Sequence, residues 1–370
     1  MAALGVGLIG SGFMGRAHAS GFLNANRLFD LPVSAELAVL ADVSAEAAAT
    51  AAARLGFARS TGDWRALVAD PAVGIVSITT PNTLHREMTL AAIAAGKHVN
   101  CEKPLAPTAP EAGEMALAAE KAGVATQVGF NYLKNPMVRL ARDLVAAGEI
   151  GEVRSFRGVH AEDFMSDASV PWTWRLDPAG GGGALADIGS HIIALARHVV
   201  GPIASVTGET ATLVRRRPFA GHDRAVEVDD VATAALRFAS GAVGTIEANW
   251  LATGRKMGLA FEVSGSKGAI RFTQERMNEL ELYRAADPAG LQGFRTIEAG
   301  PAHPPYGAFC PAAGHGLGFN DLKTIEVADF LRAVGGEAVG HADFREGWAV
   351  ARTVEAIYRA ARDGGWVRVD

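Results

Sequence analysis

The sequence predicts an α/β protein: a doubly wound parallel sheet in the first 130 residues, then an α+β domain on an open, mostly antiparallel sheet. Three observations predict it. A short apolar run, Leu4–Ile9, ends in glycines at G-x-G-x-x-G spacing, Gly10, Gly12 and Gly15. Strand-like and helix-like segments then alternate regularly up to about residue 130. Beyond about residue 150, strand-like segments follow one another with few helices between them.

Leu4–Ile9 reads as the first strand. Gly10 lets the chain turn sharply, Gly12 lets a pyrophosphate approach the backbone, and Gly15 lets helix and strand pack closely. Phe13 and Met14 lie between the last two glycines, and Arg16-Ala17-His18 continue into a helix whose free N–H groups and dipole favour phosphate. Leu37–Asp42 is a buried-strand candidate, and Ser44 caps an Ala-rich helix through Leu55. Then come a helix at Trp64–Val68, a strand at Gly74–Ile78, a helix at Glu87–Ala95 and a strand at Lys97–Cys101. A helix at Pro110–Ala122 leads to a strand at Thr126–Gly129. Such alternation implies parallel strands joined by crossover helices. In the second part, Val153–Ala161, Ser205–Val214, Val231–Phe238, Ala242–Trp250, Leu259–Ser264 and Ala269–Thr273 read as strands. Turn signals such as Ser240-Gly241 separate them. Gly300–Gly318, rich in Gly, Pro, Ala and His, reads as a long surface loop of the kind that serves function. The domains expected are 1–130 and 131–370.

At 370 residues the chain is long enough for two cores, and 49% apolar with 20% charged residues describes a globular protein. Lys and Arg total 35 against 40 Asp and Glu, without a block of like charge. That argues against nucleic acid or a membrane surface as partner. Cys101 and Cys310 make no disulfide framework and fit a reducing cytosol. Ala17-His18-Ala19 imitates a secretory cleavage site, but no basic n-region precedes it, and glycines break the apolar run. The chain is read as unprocessed and cytoplasmic. No apolar run approaches transmembrane length.

Asp42 ends the second strand, where a carboxylate accepts hydrogen bonds from an adenosine ribose and repels a 2′-phosphate. It lies 27 residues past Gly15, against a usual spacing of about 20. The excess is assigned to Phe22–Glu36, where Leu31-Pro32 reads as an inserted turn; a turn Asp capping the next helix is the alternative. Thr79–His85 and Glu102-Lys103-Pro104 each follow a strand candidate, at the carboxyl edge where ligands bind in open α/β sheets. Lys103 can place an ammonium beside a substrate oxygen. Asp187 and His191 stand four apart on a helix expected to reach Val200, so they share one face. An imidazole held by a carboxylate is a plausible general base near neutral pH. A surface ion pair and half of a metal site compete with that reading. No third ligand stands at a recurring spacing, and no metal is expected.

In order, Gly10-x-Gly12-x-x-Gly15, Thr80-Pro81-Asn82-x-x-His85, Glu102-Lys103-Pro104 and Asp187-Ile188-Gly189-Ser190-His191 resemble the glucose–fructose oxidoreductase/inositol dehydrogenase/MocA (Gfo/Idh/MocA) family over essentially the whole chain. Val170–Leu176 and the region from Gly293-Phe294-Arg295 to Lys323 look like the branch containing levoglucosan dehydrogenase and L-glucose/scyllo-inositol dehydrogenase. The resemblance implies a Rossmann domain that binds NAD. It also implies a second domain for substrate and oligomer contacts, in a homodimer or homotetramer. Lys103, Asp187 and His191 are the implied catalytic set. Gly10, Gly12, Phe13, Met14, Gly15 and Asp42 would hold one end of the cofactor. Thr80, Pro81, Asn82, His85, Glu102, Lys103 and Asn131 would surround its ribose and nicotinamide, with Trp172 and Arg175 near the nicotinamide end. Arg175, His315 and Asn320 join the catalytic set as implied substrate contacts. The implied reaction oxidises a secondary hydroxyl of a sugar, anhydrosugar or inositol to a ketone. An NAD-recycling glycoside hydrolase of the same family and a non-catalytic NAD- or sugar-binding protein are the rival readings. The intact Lys103, Asp187 and His191 set argues against the second, which needs no general base.

Overall fold

The alternation read in the sequence becomes β1 (Ala2–Ile9), α1 (Phe13–Leu28), β2 (Val33–Ala41), α2 (Ala45–Leu55), β3 (Arg59–Thr61), α3 (Trp64–Ala69), β4 (Val73–Ile78), α4 (His85–Ala94), β5 (His98–Cys101), α5 (Ala109–Ala122) and β6 (Thr126–Val128) in the computed structural model, which describes residues 2–369. The strands pair in the order β3-β2-β1-β4-β5-β6, every pair parallel. Winding therefore reverses between β1 and β4, and the crevice at that switch point is where ligands bind in such sheets. Continuous burial of Val39-Leu40-Ala41 and Ile75-Val76 is what parallel strands covered on both faces require. Ser44 caps α2 by accepting from the Ala47 N–H.

Two local readings change. The long path from Gly15 to Asp42 is a 16-residue α1 and a nine-residue β2 that starts at Val33, four residues before the expected strand. Asn26 clips helix to strand: its amide donates to the Ala35 carbonyl at 2.6 Å and accepts from the Ala35 N–H at 3.0 Å. β3 went unread because three polar, largely exposed residues at a sheet edge carry no apolar alternation.

The second part contains α6 (Pro136–Ala146), β7 (Val153–Ala161), α7 (Ser190–Val200), β8 (Ile203–Ala211), β9 (Arg216–Phe219), β10 (His222–Ala225), β11 (Val231–Phe238), β12 (Val243–Asn249), β13 (Gly258–Gly265), β14 (Gly268–Thr273), β15 (Glu279–Arg284) and β16 (Arg295–Glu298). It is followed by α8 (Phe319–Val334), α9 (Phe344–Asp363) and β17 (Val367–Arg368). A nine-stranded sheet runs β16-β15-β14-β13-β7-β12-β11-β8-β17. Only β7 and β12 are parallel neighbours in it. One face is packed by α7 so closely that a Cβ on Gly158 of β7 would lie 2.6 Å from the Ile192 side chain. The opposite face presents Arg157, Thr233, Arg237, Thr245 and Arg271 to solvent. β9 and β10 form a separate hairpin.

The chain returns to its first compact unit after building most of the second. The compact units are residues up to 134 with 318–349, and 135–317 with 350 onwards. Val327, Ala328, Phe330 and Leu331 of α8 share a core with Phe22 and Ala25 of α1 and Leu37 of β2. Gly21 permits the approach, since a Cβ there would already sit 3.0 Å from Val327. An apolar helix face is legible locally; which core it joins is a tertiary fact. No described helix is long and apolar enough to cross a membrane.

Candidate active site

In the first unit each glycine of the motif meets a distinct steric demand. Gly10 has φ +94°, in the region that favours glycine. A Cβ on Gly15 would lie 2.2 Å from the Gly10 carbonyl oxygen, whereas one on Gly12 would meet nothing within 4 Å. Gly12 begins α1 with no side-chain cap, and the first turn holds no acid. Gly12 thus leaves open space at the positive end of a helix, which fits a pyrophosphate. Phe13, 62% exposed, stacks on Phe319 at 5.4 Å, while Met14 is half-buried.

Asp42 follows β2 directly. Its Oδ2 accepts from the Ser11 N–H at 2.9 Å and from the Ser11 hydroxyl, and its Oδ1 accepts from the Val43 N–H at 2.7 Å. It is therefore tied to the glycine loop, and Ser44, not Asp42, caps the next helix. A carboxylate has lone pairs left for a ribose diol. These features suit an adenine dinucleotide: Gly10 and Gly15 shape the turn, Gly12 leaves room for phosphates, and Asp42 could accept from a ribose.

Thr79 anchors the next loop to the first through a 2.8 Å bond from its hydroxyl to the Gly10 carbonyl. Thr80, Pro81 and Asn82 lie at the surface or half-buried. His85 does not. It is fully buried, with Nδ1 2.9 Å from the Pro104 carbonyl and Nε2 2.9 Å from that of Thr80. Burial holds its pKa below the ordinary histidine value, so the neutral ring donates to one carbonyl. Expected as a cofactor contact, His85 instead clamps the two loops that surround the crevice. Asn131, after β6, is buried with its amide nitrogen unpartnered among the described residues.

Glu102 is likewise internal, 5% exposed. Its Oε1 lies 2.8 Å from His18 Nε2 and 2.9 Å from Lys323 Nζ, and its Oε2 accepts from the Lys103 N–H at 3.1 Å. Its carboxylate is thus held by the core on one oxygen and by the Lys103 main chain on the other. Lys323 also pairs closely with Glu326. Burial works to raise the Glu102 carboxyl, but the Lys323 charge and the His18 bond outweigh it and hold it well below the usual range. Burial and Lys323 lower His18 to about 4, so at neutral pH its Nε2–H donates to Glu102 while Nδ1 accepts from Ser77, 2.7 Å away. Burial pushes Glu326 up to about 7 despite Lys323.

A stability prediction arises here. Between the ordinary 4.5 and about 7, the folded chain keeps on Glu326 a proton that the unfolded chain has released. That contribution to stability is present below 4.5 and is lost as pH rises through 7. Glu326→Gln should match the parent near pH 5 and be the more stable near pH 8, by on the order of 2 kcal/mol. Thermal unfolding at the two pH values checks it; an equal gap at both would refute the assignment.

In the second unit, Asp187 sits in a π-turn, Leu185–Gly189, that leads into α7, where a plain helix was expected; His191 follows in the first turn of α7. Such widened turns recur at functional sites. The glycine run before it allows close packing: a Cβ on Gly183 would lie 1.9 Å from the Asp229 carbonyl oxygen. The Asp229 carboxylate accepts from Gly183 N–H at 3.2 Å, Leu185 N–H at 2.8 Å and the Tyr358 hydroxyl at 2.6 Å. Asp187 pairs with Arg175, Nε to Oδ2 3.2 Å. Arg175 is thus placed as the carboxylate's cation, with its guanidinium 4.5 Å from the Trp174 ring.

His191 is 7% exposed, and its ring lies 5.6 Å from that of His160. His160 was not singled out in the sequence, although strand alternation puts it on the inner face of β7. Its Nδ1 lies 2.8 Å from the Ile188 carbonyl and its Nε2 2.9 Å from Glu162 Oε1. Trp172 packs on the hairpin: its main-chain N–H donates to the Pro218 carbonyl at 2.8 Å, and Arg224 lies 3.5 Å over its ring. His315 and Asn320 are exposed and fall in different units. The loop before them is organised by buried Tyr306, whose hydroxyl donates to the Ala312 carbonyl at 3.1 Å and accepts from the Gly316 N–H at 3.2 Å. Among the described residues, no group of three or more His, Cys, Asp or Glu is arranged to hold a metal.

Residues 4–130 match the family model described as an oxidoreductase family with an NAD-binding Rossmann fold, and residues 138–271 match the Gfo/Idh/MocA C-terminal domain. The chain is 39% identical to levoglucosan dehydrogenase of Pseudarthrobacter phenanthrenivorans, over 99% of this chain and 98% of that protein. It is 34% identical to 1,5-anhydro-D-fructose reductase of Ensifer adhaerens, over 77% and 84% respectively. A solved levoglucosan dehydrogenase in complex with NADH and L-sorbose is 41% identical and superimposes over the whole of both chains with a TM-score of 0.98. From the glycine cradle to the full-length match, this chain belongs to the Gfo/Idh/MocA family of NAD-binding oxidoreductases.

Proposed function

We propose that this chain oxidises a secondary hydroxyl of an anhydrosugar, sugar or inositol to a ketone, with levoglucosan first among the candidates. The observation that carries the reading is the Arg175-supported Asp187 at the π-turn, four residues before His191, in a chain that also holds the Asp42 cradle. NAD, when bound, supplies the hydride acceptor. His191 takes the hydroxyl proton, and Asp187 orients the imidazole and balances the charge it gains. Lys103 stabilises the developing alkoxide by charge and hydrogen bonding. The open sheet face supports a homodimer or homotetramer, and the two unpaired cysteines support a cytoplasmic location.

A panel of anhydrosugars, sugars and inositols with NAD, read by NADH absorbance, tests the reading. Sugar release without net NADH would make the chain an NAD-recycling hydrolase. Binding without turnover would make it a sensor.

Cofactor choice follows from Asp42. Val43 and Ser44 beside it bring no cation, so a 2′-phosphate meets a like charge without a partner. NAD should be preferred over NADP by at least about tenfold, roughly 1.4 kcal/mol, and Asp42→Ala should narrow the gap. Equal kcat/KM with both cofactors in the parent would remove Asp42 from this role.

A further inference from the structure

Lys323 lies on α8, outside both segments that match the family models. It has no exposed surface, so it touches neither substrate nor solvent. Its Nζ nevertheless reaches Glu102 at 2.9 Å, across 221 positions of sequence. The fold makes room for this carboxylate: a Cβ on Gly129 would lie 2.5–2.7 Å from its atoms. Of the two oxygens, Oε1 takes Lys323 and His18, and Oε2 takes the main-chain N–H of the next residue, Lys103.

We propose that Lys323 is a positioning residue for Lys103, acting through Glu102. The inference rests on the dehydrogenase reading, in which Lys103 meets the alkoxide. An ionised carboxylate stays in a dry core only beside a cation and fully hydrogen-bonded. His18 is neutral at working pH, and Glu326 is a second carboxyl, so neither replaces Lys323. Lys134, the other lysine near Glu326, is engaged by Asp329 at 2.8 Å. Without Lys323, Glu102 either takes up a proton or turns towards water. Both outcomes weaken the bond that fixes the Lys103 main chain, and small misplacements of a reacting group are costly in rate.

The test compares Lys323→Met, Glu102→Gln and the double variant with the parent, each first checked for folding by circular dichroism. Three quantities are read: kcat, the NAD dissociation constant, and hydrogen exchange at the Lys103 amide. Lys323→Met should lower kcat tenfold or more, leave NAD binding within threefold, and speed exchange at Lys103 at least tenfold. The double variant should be no slower than the worse single one, because both act on one bond. A folded Lys323→Met with kcat and exchange within twofold of the parent would overturn the proposal, as would effects that multiply in the double variant. If Lys323→Met does not fold, the double variant, which leaves no unpaired charge, is held to the same thresholds. A parent that makes no NADH from any polyol would sink the dehydrogenase reading alone; exchange at Lys103 would still decide the link to Lys323.

Discussion

His191→Ala should lower kcat by about 10²–10⁴ while leaving NAD affinity nearly intact, because only proton removal is lost. The sharper readout is pH. With His191 as base, kcat/KM for oxidation rises through one ionisation of the free enzyme. That limb should vanish or move in His191→Ala, whose residual rate then follows hydroxide or another base. Asp187→Asn keeps the side-chain shape but weakens the imidazolium's partner and frees Arg175, so its loss should be intermediate. The double Asp187, His191 variant should cost little more than His191→Ala alone, since groups acting as a unit are not additive. Full additivity with an unshifted pH limb would send the proton elsewhere, and Lys103 would become the leading base.

Lys103→Ala should be of comparable severity, about 10²–10³ in kcat, the cost of removing one donor that meets developing negative charge. The loss should fall on kcat more than on KM, because an alkoxide exists only near the transition state. A variant whose damage is confined to KM would reassign Lys103 to substrate binding.

What the sequence disclosed depended on how local each requirement was. The glycine cradle was legible because turn, open approach and close packing each act within six residues. Strand boundaries in the second unit were legible where alternation was clean, as at β7 and β11, which match the expected ranges residue for residue. The π-turn was not, because the spacing of Asp187 and His191 fits a plain helix equally well. His85 and Glu102 stand in motifs at the carboxyl edge of the sheet, and nothing local says whether such a side chain faces the crevice or the core. Lys323 was invisible for a stronger reason: its partner is set by the return of α8, which no neighbouring residue encodes.

That return also bears on how the protein is made. A ribosome releases the six parallel strands long before α8 and the start of α9 leave the exit tunnel. Until then the Phe22 and Ala25 side of α1 lacks its cover, and Glu102 lacks its cation. The nucleotide-binding unit is therefore begun before the second unit and completed only after most of it. Fragments ending near residue 130 should expose that apolar side and associate through it, whereas chains extended through 349 carry every piece of the first core.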